Sequence, residues 1–215
     1  MKSFRTEGIV IKRRNFNEAD RILTVMTRDY GKIQIKAAGV RRITSRRSAH
    51  VELLNHAVLH LYKGNTFSVL TEAKVIDDFG PIKSDFEKIG FAYHLCELVD
   101  GLCPDNQENN KVFSLLQETL LDLARHDDSS LPQYEYATSE IDDYMLGTYG
   151  IGVSDAPQRK VQHNSTMQEF EVALLSELGY WDRRNAVEKR FDTHEMIEDI
   201  LERKLKSRSI FAKLQ

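Results

Sequence analysis

The hydrophobic pattern of this chain changes period at Gly80-Pro81, and this change constrains the fold more than any other feature. Before it, apolar and polar residues alternate in short runs, which is the period of strands with one buried face. After it, apolar residues recur at every third or fourth position, as in amphipathic helices. No helical stretch of crossover length separates the strand-like segments, which favours a small barrel over a βαβ unit. We therefore predict an α+β fold, with an N-terminal OB-fold β-barrel over residues 1–80 followed by an all-α C-terminal domain over residues 81–215.

Five segments before residue 80 have the composition of strands. Between Lys32 and Ala37, lysine and glutamine alternate with isoleucine and alanine, which predicts one apolar face and one solvated, cationic face. Tyr30-Gly31 and Lys63-Gly64-Asn65 have the composition of tight turns between neighbouring strands. The predicted strands are Glu7 to Ile11, Arg21 to Thr27, Lys32 to Ala37, Ala57 to Tyr62 and Phe67 to Val75.

Start and stop signals outline the first two helices. Ser84 and Glu87 have the S-x-x-E spacing of a capping box, and the helix is predicted to end by Leu102 because a proline follows two residues later. Either Asn109 or Asn110 is predicted to cap the second helix. The apolar stripe of the first helix is predicted to contain Phe86, Ile89, Tyr93 and Cys96.

Helical spacing returns in three later segments. Helices are predicted at Gln133 to Leu146, Met167 to Leu178 and Thr193 to Leu205. The intervening stretch from Gly147 to Ser165 contains three glycines and one proline and is predicted to be a loop.

The formal net charge of -3 conceals a strong segregation of charge along the chain. Residues 1–80 carry 15 Lys+Arg against 8 Asp+Glu, a net charge of +7. Residues 81–199 carry 10 against 24, a net charge of -14, and residues 200–215 carry 5 against 1, a net charge of +4. The basic first segment predicts an anionic partner, whereas the acidic segment gives no indication beyond solubility.

The basic residues of the first segment are clustered. Four arginines lie within the seven residues from Arg41 to Arg47, where they repel one another, and binding of an anion explains this arrangement. Arginine can bind phosphate with two hydrogen bonds and can stack on bases, which suits a nucleic-acid groove. The candidate contacts are Lys12, Arg13, Arg14, Lys32, Lys36, Arg41, Arg42, Arg46 and Arg47.

Aromatic residues near these cations are candidate stacking surfaces for bases. They are Phe16, Tyr30, Tyr62 and Phe67. The alternative interpretation is that the charged runs are solvated faces and that these rings belong to the core of the barrel.

Two cysteines, Cys96 and Cys103, are too few for a disulfide framework or a four-thiolate zinc site, so a reducing cytoplasm is the expected compartment. Cys96 lies on a predicted apolar stripe and is expected to be a buried small hydrophobe. No window approaches the roughly 18 apolar residues of a membrane span, and no signal peptide is recognisable at the start.

Catalytic motifs are not found in the sequence. The P-loop and G-x-S-x-G patterns are missing, and the H-E-x-x-H pattern that begins at His194 has Glu198 in place of its second histidine. The seven histidines are scattered without an obvious carboxylate or thiol partner. We therefore predict that the chain is not an enzyme and uses no cofactor or metal.

Seven short segments of the chain form a recognisable series. They are Thr6-Glu7-Gly8-Ile9-Val10-Ile11-Lys12-Arg13, Glu18-Ala19-Asp20-Arg21-Ile22-Leu23-Thr24, Tyr30-Gly31-Lys32, Gly39-Val40-Arg41-Arg42, Leu61-Tyr62-Lys63-Gly64, Leu95-Cys96-Glu97-Leu98-Val99-Asp100 and Arg203-Lys204-Leu205-Lys206-Ser207-Arg208. In their order and spacing they resemble the RecO family of bacterial recombination mediators. The resemblance covers nearly all of residues 4–125 and again residues 170–214.

The resemblance implies an OB fold followed by a helical domain, in a DNA repair protein that is not an enzyme. Members of the family bind single- and double-stranded DNA, anneal complementary strands, and act with RecR to load RecA on DNA coated by single-strand-binding protein. For this chain, the resemblance implies that the nine barrel cations contact DNA. It also implies a location in the cytoplasm, at the nucleoid. For the acidic, hydrophobic-ended tail of single-strand-binding protein, the candidate contacts are Lys204, Lys206 and Arg208.

The chain departs from the family pattern in two places. Many members carry a four-cysteine zinc motif in the second domain, and this sequence has none there, so zinc is not predicted. The stretch from Glu135 to Thr166 fits the family poorly, and no function is assigned to it.

The alternative interpretation is an OB-type adaptor whose basic face binds RNA or an acidic protein. A metal-dependent nuclease would need Asp, Glu and His grouped at ligand spacing, which the sequence does not show.

Overall fold

The computed structural model describes residues 3–125, 163–181 and 193–207. The strands are β1 (Ser3–Phe16), β2 (Asp20–Thr27), β3 (Gly31–Ala37), β4 (His56–Tyr62) and β5 (Ser68–Asp77). The α-helices that follow are α1 (Gly80–Lys83), α2 (Phe86–Leu102), α3 (Asn110–Arg125), α4 (His163–Glu177) and α5 (Thr193–Leu201). All five predicted strands are therefore present, with ends that differ from the prediction by up to five residues.

The strands close into a barrel with the order β1-β2-β3-β5-β4. Every neighbouring pair is antiparallel except β3 and β5, which run parallel and meet in only two residue pairs, Ile35 with Ser68 and Lys36 with Val69. A five-stranded closed barrel of this kind, followed by helices, is the predicted OB-type architecture, and the α+β fold class is confirmed.

Strand β1 is longer than predicted because it pairs with two neighbours. Its first half pairs with β4 and its second half with β2, and a β-bulge between Val10 and Lys12 bends it between the two. Gly8 lies where both pairings overlap, and a Cβ there would come within 2.5 Å of a Val25 methyl group, so only glycine fits. The predicted end at Ile11 is wrong, and the cations that follow it lie within the strand.

Two apolar clusters stabilise the part of the chain that the structure describes. The barrel interior is filled by large aliphatic side chains that are almost completely buried, among them Leu23, Ile35 and Leu59. The second cluster lies between the outer surface of the barrel and the helices, where Ile9 and Met26 pack in one cluster with residues of α2 and α3. Because buried residues from both sides of residue 80 share this cluster, the division into two domains stays a prediction.

Helix α2 is buried on most of its surface, and the sequence prediction for it contained two errors. Its N-cap is Asp85, whose side chain accepts hydrogen bonds from the backbone N–H groups of Glu87 and Lys88, so the capping box predicted at Ser84 is wrong. Phe86 is 71% exposed and does not belong to the buried face. A helix that is covered on most sides has no single apolar stripe, so its periodicity does not indicate its orientation.

The other helix predictions had mixed outcomes. Asn109 caps α3, because its side chain accepts a hydrogen bond from the backbone N–H of Val112. This confirms one of the two predicted caps, Asn109 and Asn110. Helix α4 begins at His163, within the predicted loop, and α5 ends at Leu201 instead of Leu205. The helix predicted at Gln133 to Leu146 lies outside the described residues.

Both cysteines are buried, as expected for Cys96. Burial raises the pKa of the Cys96 thiol to about 12 and that of Cys103 to about 11. Both side chains therefore stay protonated at neutral pH, in the environment of unreactive structural cysteines. Among the described helices, none is long and apolar enough to cross a membrane.

Candidate nucleic-acid interface

The pairing register of β1, β2 and β3 shows that the barrel cations lie at two opposite ends of one outer surface. Residues that lie directly opposite each other in neighbouring strands point to the same face. At one end Lys32 lies beside Met26, which packs against the helices. At the other end Arg14 and Lys36 flank Ile22, and Arg14 is exposed to solvent. The predicted cations therefore do not form one continuous surface.

Lys32 lies at the contact between barrel and helices and is only 8% exposed in its side chain. Its Nζ donates a hydrogen bond to the backbone carbonyl of Asp100 and lies 3.2 Å from Oδ1 of Asp105. Lys12 reaches the same region, with its Nζ 2.6 Å from Oδ2 of Asp100. The solvated cationic face predicted for β3 is therefore wrong at Lys32, because that charge joins the barrel to the end of α2.

Arg13 is also engaged within the molecule. Its guanidinium forms an ion pair with Glu52, and the same carboxylate accepts a hydrogen bond from Arg21 at 3.0 Å. The side chain of Arg13 is 38% exposed, so part of its surface still faces solvent. Its charge is nevertheless balanced locally before any ligand binds.

The loop between β3 and β4 is the most cationic exposed segment of the barrel, and hydrogen bonds from two of its arginines fix its shape. Arg47 donates to the backbone carbonyls of Leu70 at 2.7 Å and Ala38 at 2.9 Å. Arg41 donates to the carbonyl of Glu18, in the turn between β1 and β2, at 3.0 Å. These bonds attach the loop to β5, to its own first residue after β3 and to the turn between β1 and β2.

Asp20 fixes the start of this loop. Its Oδ1 accepts a hydrogen bond from the backbone N–H of Gly39 at 2.7 Å, and its Oδ2 lies 3.0 Å from Nζ of Lys36. The hydrogen bond from Gly39 and that from Lys36 lower the pKa of Asp20. Lys36 in turn lies 5.5 Å from the centre of the Phe16 ring, a cation–π distance.

The loop encloses an open cleft of about 460 Å³. It is lined by Asp20, Ala38, Gly39, Arg42, Thr44, Ser45, Arg46 and Arg47. Arg42 and Arg46 are exposed, and neither forms an ion pair with any acidic residue that the structure describes. Ile43, between them, is fully exposed. Guanidinium groups, hydroxyls and an apolar tip together provide contacts for both the phosphates and the bases of a nucleic acid.

The predicted stacking residues are divided in the same way as the cations. Tyr62 is 43% exposed and lies opposite Val69, which itself pairs with Lys36, so this ring shares a row with the cationic end. Phe16 is partly buried beneath Lys36, and Phe67 is also partly buried. The ring of Tyr30 packs edge-on against that of Phe4, with 4.7 Å between the ring centres. Tyr62 therefore fits the role of a stacking surface best.

The predicted partner-binding cations follow α5. Lys204 is exposed, and the backbone N–H of Lys206 donates to Oε1 of Glu97 at 2.9 Å. Burial raises the pKa of Glu97, but hydrogen bonds from Lys206, Ser207 and Arg203 outweigh that effect and lower it overall. Arg208 lies outside the described residues. Because α5 ends at Leu201, Lys204 does not lie on the helix that the sequence predicted.

A buried polar cluster in the helical layer was missed by the sequence prediction. His94 Nε2 and His194 Nδ1 each lie 3.0 Å from Oε1 of Glu171, so two histidines do have a carboxylate partner. The three residues belong to α2, α4 and α5, far apart in sequence. Only the polar residues at otherwise apolar helical positions could have indicated this cluster.

The closed barrel, its cationic loop and the helices packed on its outer surface define an OB-fold protein of the α+β class. Comparison with family models finds "Recombination protein O N terminal" over residues 1–79 and "Recombination protein O C terminal" over residues 83–138. The chain belongs to the recombination protein O, or RecO, family.

Curated relatives agree with this assignment. The chain is 39% identical over 117 residues to the DNA repair protein RecO of Roseiflexus sp. (strain RS-1), which covers 54% of this chain and 41% of the relative. It is 33% identical over 120 residues to that of Symbiobacterium thermophilum, covering 56% and 47%. It is 34% identical over 132 residues to that of Desulforudis audaxviator, covering 61% and 53%. The chain spans about half the length of the curated relatives it matches.

Proposed function

We propose that this chain is a recombination mediator in DNA repair and that it binds DNA at the cleft of the arginine loop. The observation that carries this proposal is the pair of exposed arginines, Arg42 and Arg46, which lie on a loop held in place by other bonds. Neither guanidinium group forms an ion pair with a described residue, although the charge of Arg42 contributes to the lowered pKa of Asp20, so both can form charge-assisted hydrogen bonds to phosphate. The curated relatives are named DNA repair proteins, which supports the same function.

The nine predicted cations have different roles in this proposal. Arg42 and Arg46 contact phosphates directly, with Arg14, Lys36 and Arg41 at the margin of the cleft. Arg47 shapes the loop. Lys12, Arg13 and Lys32 are paired with acidic or carbonyl groups and do not line the cleft, so they contribute little to affinity.

Binding is electrostatic and largely independent of sequence. Cations that neutralise phosphates release condensed counterions, so on single strands the logarithm of the affinity falls with the logarithm of salt by about 0.7 per phosphate. Base contacts come from Tyr62 and Ile43, which offer a ring face and an apolar tip without hydrogen-bond readout. Such a surface accepts single-stranded DNA of any sequence and also the backbone of a duplex.

Annealing follows from the same charge. Two strands held on one cationic surface repel each other less, which favours pairing of complementary bases. In this role the chain acts with RecR and with DNA coated by single-strand-binding protein, helps to load RecA, and cleaves no DNA. Lys204, Lys206 and Arg208 are the proposed contacts for the acidic tail of single-strand-binding protein, in the cytoplasm at the nucleoid.

The first test replaces both exposed arginines of the cleft. In the Arg42→Ala/Arg46→Ala variant, the affinity for an oligo-dT strand should fall, and the salt slope should flatten by about 1.4, two phosphates at 0.7 each. Fluorescence anisotropy at several salt concentrations measures both quantities. The matched control is Lys111→Ala/Arg125→Ala, which removes two cations from α3 that are 77% and 73% exposed.

An unchanged slope in the cleft variant, or an equal change in the control, would remove the loop from the site. A competition experiment with single-stranded DNA, RNA of the same sequence and an acidic peptide distinguishes DNA binding from an adaptor role. An adaptor would bind the RNA or the peptide more tightly than the DNA. Annealing of strands coated with single-strand-binding protein, with and without RecR, tests the mediator activity itself.

A further inference from the structure

The cluster of His94, Glu171 and His194 lies in the helical layer and takes no part in the proposed DNA contacts. One ligand atom from each residue, two imidazole nitrogens and a carboxylate oxygen, lies within 4.8 Å of the other two. His94 and Glu171 have side chains only 3% and 1% exposed, whereas His194 is 34% exposed. Three groups able to bind a metal therefore meet at one point that solvent can reach from the side of α5.

We propose that this cluster binds one divalent transition-metal ion, with zinc as the best match. Two neutral imidazoles and one carboxylate are ligands that Zn²⁺ accepts, and a water molecule completes a tetrahedral site. Both nitrogens lie 3.0 Å from the carboxylate oxygen, close to the spacing of neighbouring ligands around a tetrahedral zinc ion. The cysteines of the chain are not involved.

Groups around the cluster orient two of the ligands. The other ring nitrogen of His94, Nδ1, lies 2.8 Å from the hydroxyl oxygen of Ser207, which leaves Nε2 facing Glu171. The hydroxyl of Thr193 donates a hydrogen bond to Oε2 of Glu171, which leaves Oε1 facing both histidines. Hydrogen bonds to the remaining atom of a ligand are the usual outer-shell support of a metal site.

The charge balance also favours a cation. Glu171 is almost completely buried, and a buried carboxylate needs a compensating charge. Among the described residues, its ion-pair partners are the two histidines, and no lysine or arginine reaches it. A divalent ion between the three groups supplies that charge and joins α2, α4 and α5.

Zinc content and thermal stability test the proposal without any measurement of DNA binding. Full-length protein without a histidine tag is treated with a chelator, dialysed, and titrated with ZnCl₂. We expect one zinc ion per chain to remain after gel filtration and the melting temperature to rise with free zinc, because the metal binds the folded state. Co²⁺ in the same site should give the visible absorption of a tetrahedral complex.

Variants test whether the bound zinc depends on these residues. His194→Asn removes the most exposed ligand and should preserve the fold, and Glu171→Gln keeps the size of the side chain but loses its charge. Each should weaken zinc binding by at least about tenfold. His60→Asn, the same change on β4 outside the cluster, should leave it unchanged. Absence of bound zinc in the wild-type protein, or equal binding in His194→Asn, would overturn the proposal, even if Glu171→Gln failed to fold.

Discussion

Lys32 shows how burial determines the role of a single cation. Its side chain is enclosed between β3 and the end of α2, where it donates a hydrogen bond to the carbonyl of Asp100 and forms an ion pair with the carboxylate of Asp105. A buried ammonium group without such partners would be strongly unfavourable. The residue therefore stabilises the contact between barrel and helices, and we do not expect its charge to contribute to DNA binding.

Replacement of Lys32 should separate stability from binding. Lys32→Ala removes the charged donor of the hydrogen bond to the Asp100 carbonyl and should lower the free energy of unfolding by about 2 kcal/mol. The salt slope of DNA binding should not change. Urea denaturation and anisotropy measure the two quantities.

Lys12→Ala is the control, since Lys12 pairs with Asp100 while 58% exposed and should contribute less than about 1 kcal/mol. If Lys32→Ala flattened the salt slope as the double arginine variant is expected to, Lys32 would contact DNA as the sequence predicted.

The position of such partners explains why the sequence could not assign the individual cations. Clustering alone predicted the arginine loop, because several like charges in one short segment are visible without a fold. Lys32 and Asp100 lie 68 residues apart, and Lys12 and Asp100 lie 88 residues apart. Only the packing of α2 on the barrel brings these groups together, so alternation in β3 predicted a solvated face that the helices cover.

At the scale of elements, the arginine loop combines residues that hold it with residues that face solvent. Arg47 belongs to the first kind, through its bonds to the carbonyls of Ala38 and Leu70, and Arg46 to the second. The two residues are neighbours with the same side chain, which makes them a matched pair for experiment.

Arg47→Ala should loosen the loop, whereas Arg46→Ala should not. Hydrogen bonds from a charged donor contribute about 1.5–3 kcal/mol, so Arg47→Ala should lower the free energy of unfolding by about 2 kcal/mol. It should also accelerate amide hydrogen exchange over residues 38–48. Arg46→Ala should leave exchange and stability unchanged while it weakens DNA binding. Equal exchange rates in both variants would show that Arg47 does not hold the loop.

The strands were predictable from their β-branched composition and from the turns between them, even though β2 is buried at its last six residues and does not alternate. All five were found, and their number and turns favoured the OB barrel. The orientation of a helix that is buried on most sides was not predictable. Helix α2 packs on several neighbours, so the predicted stripe included Phe86, which is 71% exposed. The bulge in β1 also left no signal in the sequence, because it arises from pairing with two partners.

At the scale of the whole molecule, His56 lies where the barrel meets α3. It is 3% exposed, its ring centre lies 5.8 Å from that of Phe113, and its Nδ1 lies 3.5 Å from Nε2 of Gln117. Burial lowers the pKa of His56 despite the nearby carboxylate of Glu7, so the folded protein favours the neutral ring.

This shift predicts a loss of stability in mild acid. The unfolded chain binds a proton at His56 near pH 6.5, whereas the folded chain binds it only at lower pH, so stability is full above about pH 6.5 and falls below it. In His56→Asn this fall should be smaller. Urea denaturation at pH 7.5 and 5.5 measures the difference, and His60→Asn, on the same strand but partly exposed, should behave as the wild type. An identical acid response in His56→Asn would contradict the assignment.

The barrel closes through its shortest contact, the two residue pairs between β3 and β5. Arg47 spans this contact from the side, since it binds the carbonyl of Ala38, just after β3, and that of Leu70 in β5. The loop that we propose to bind DNA thus also supports the closure of the barrel. Bound DNA that orders the loop should therefore also stabilise the contact between β3 and β5. By thermodynamic linkage, a change that weakens this contact should reduce the affinity for DNA by the same free energy.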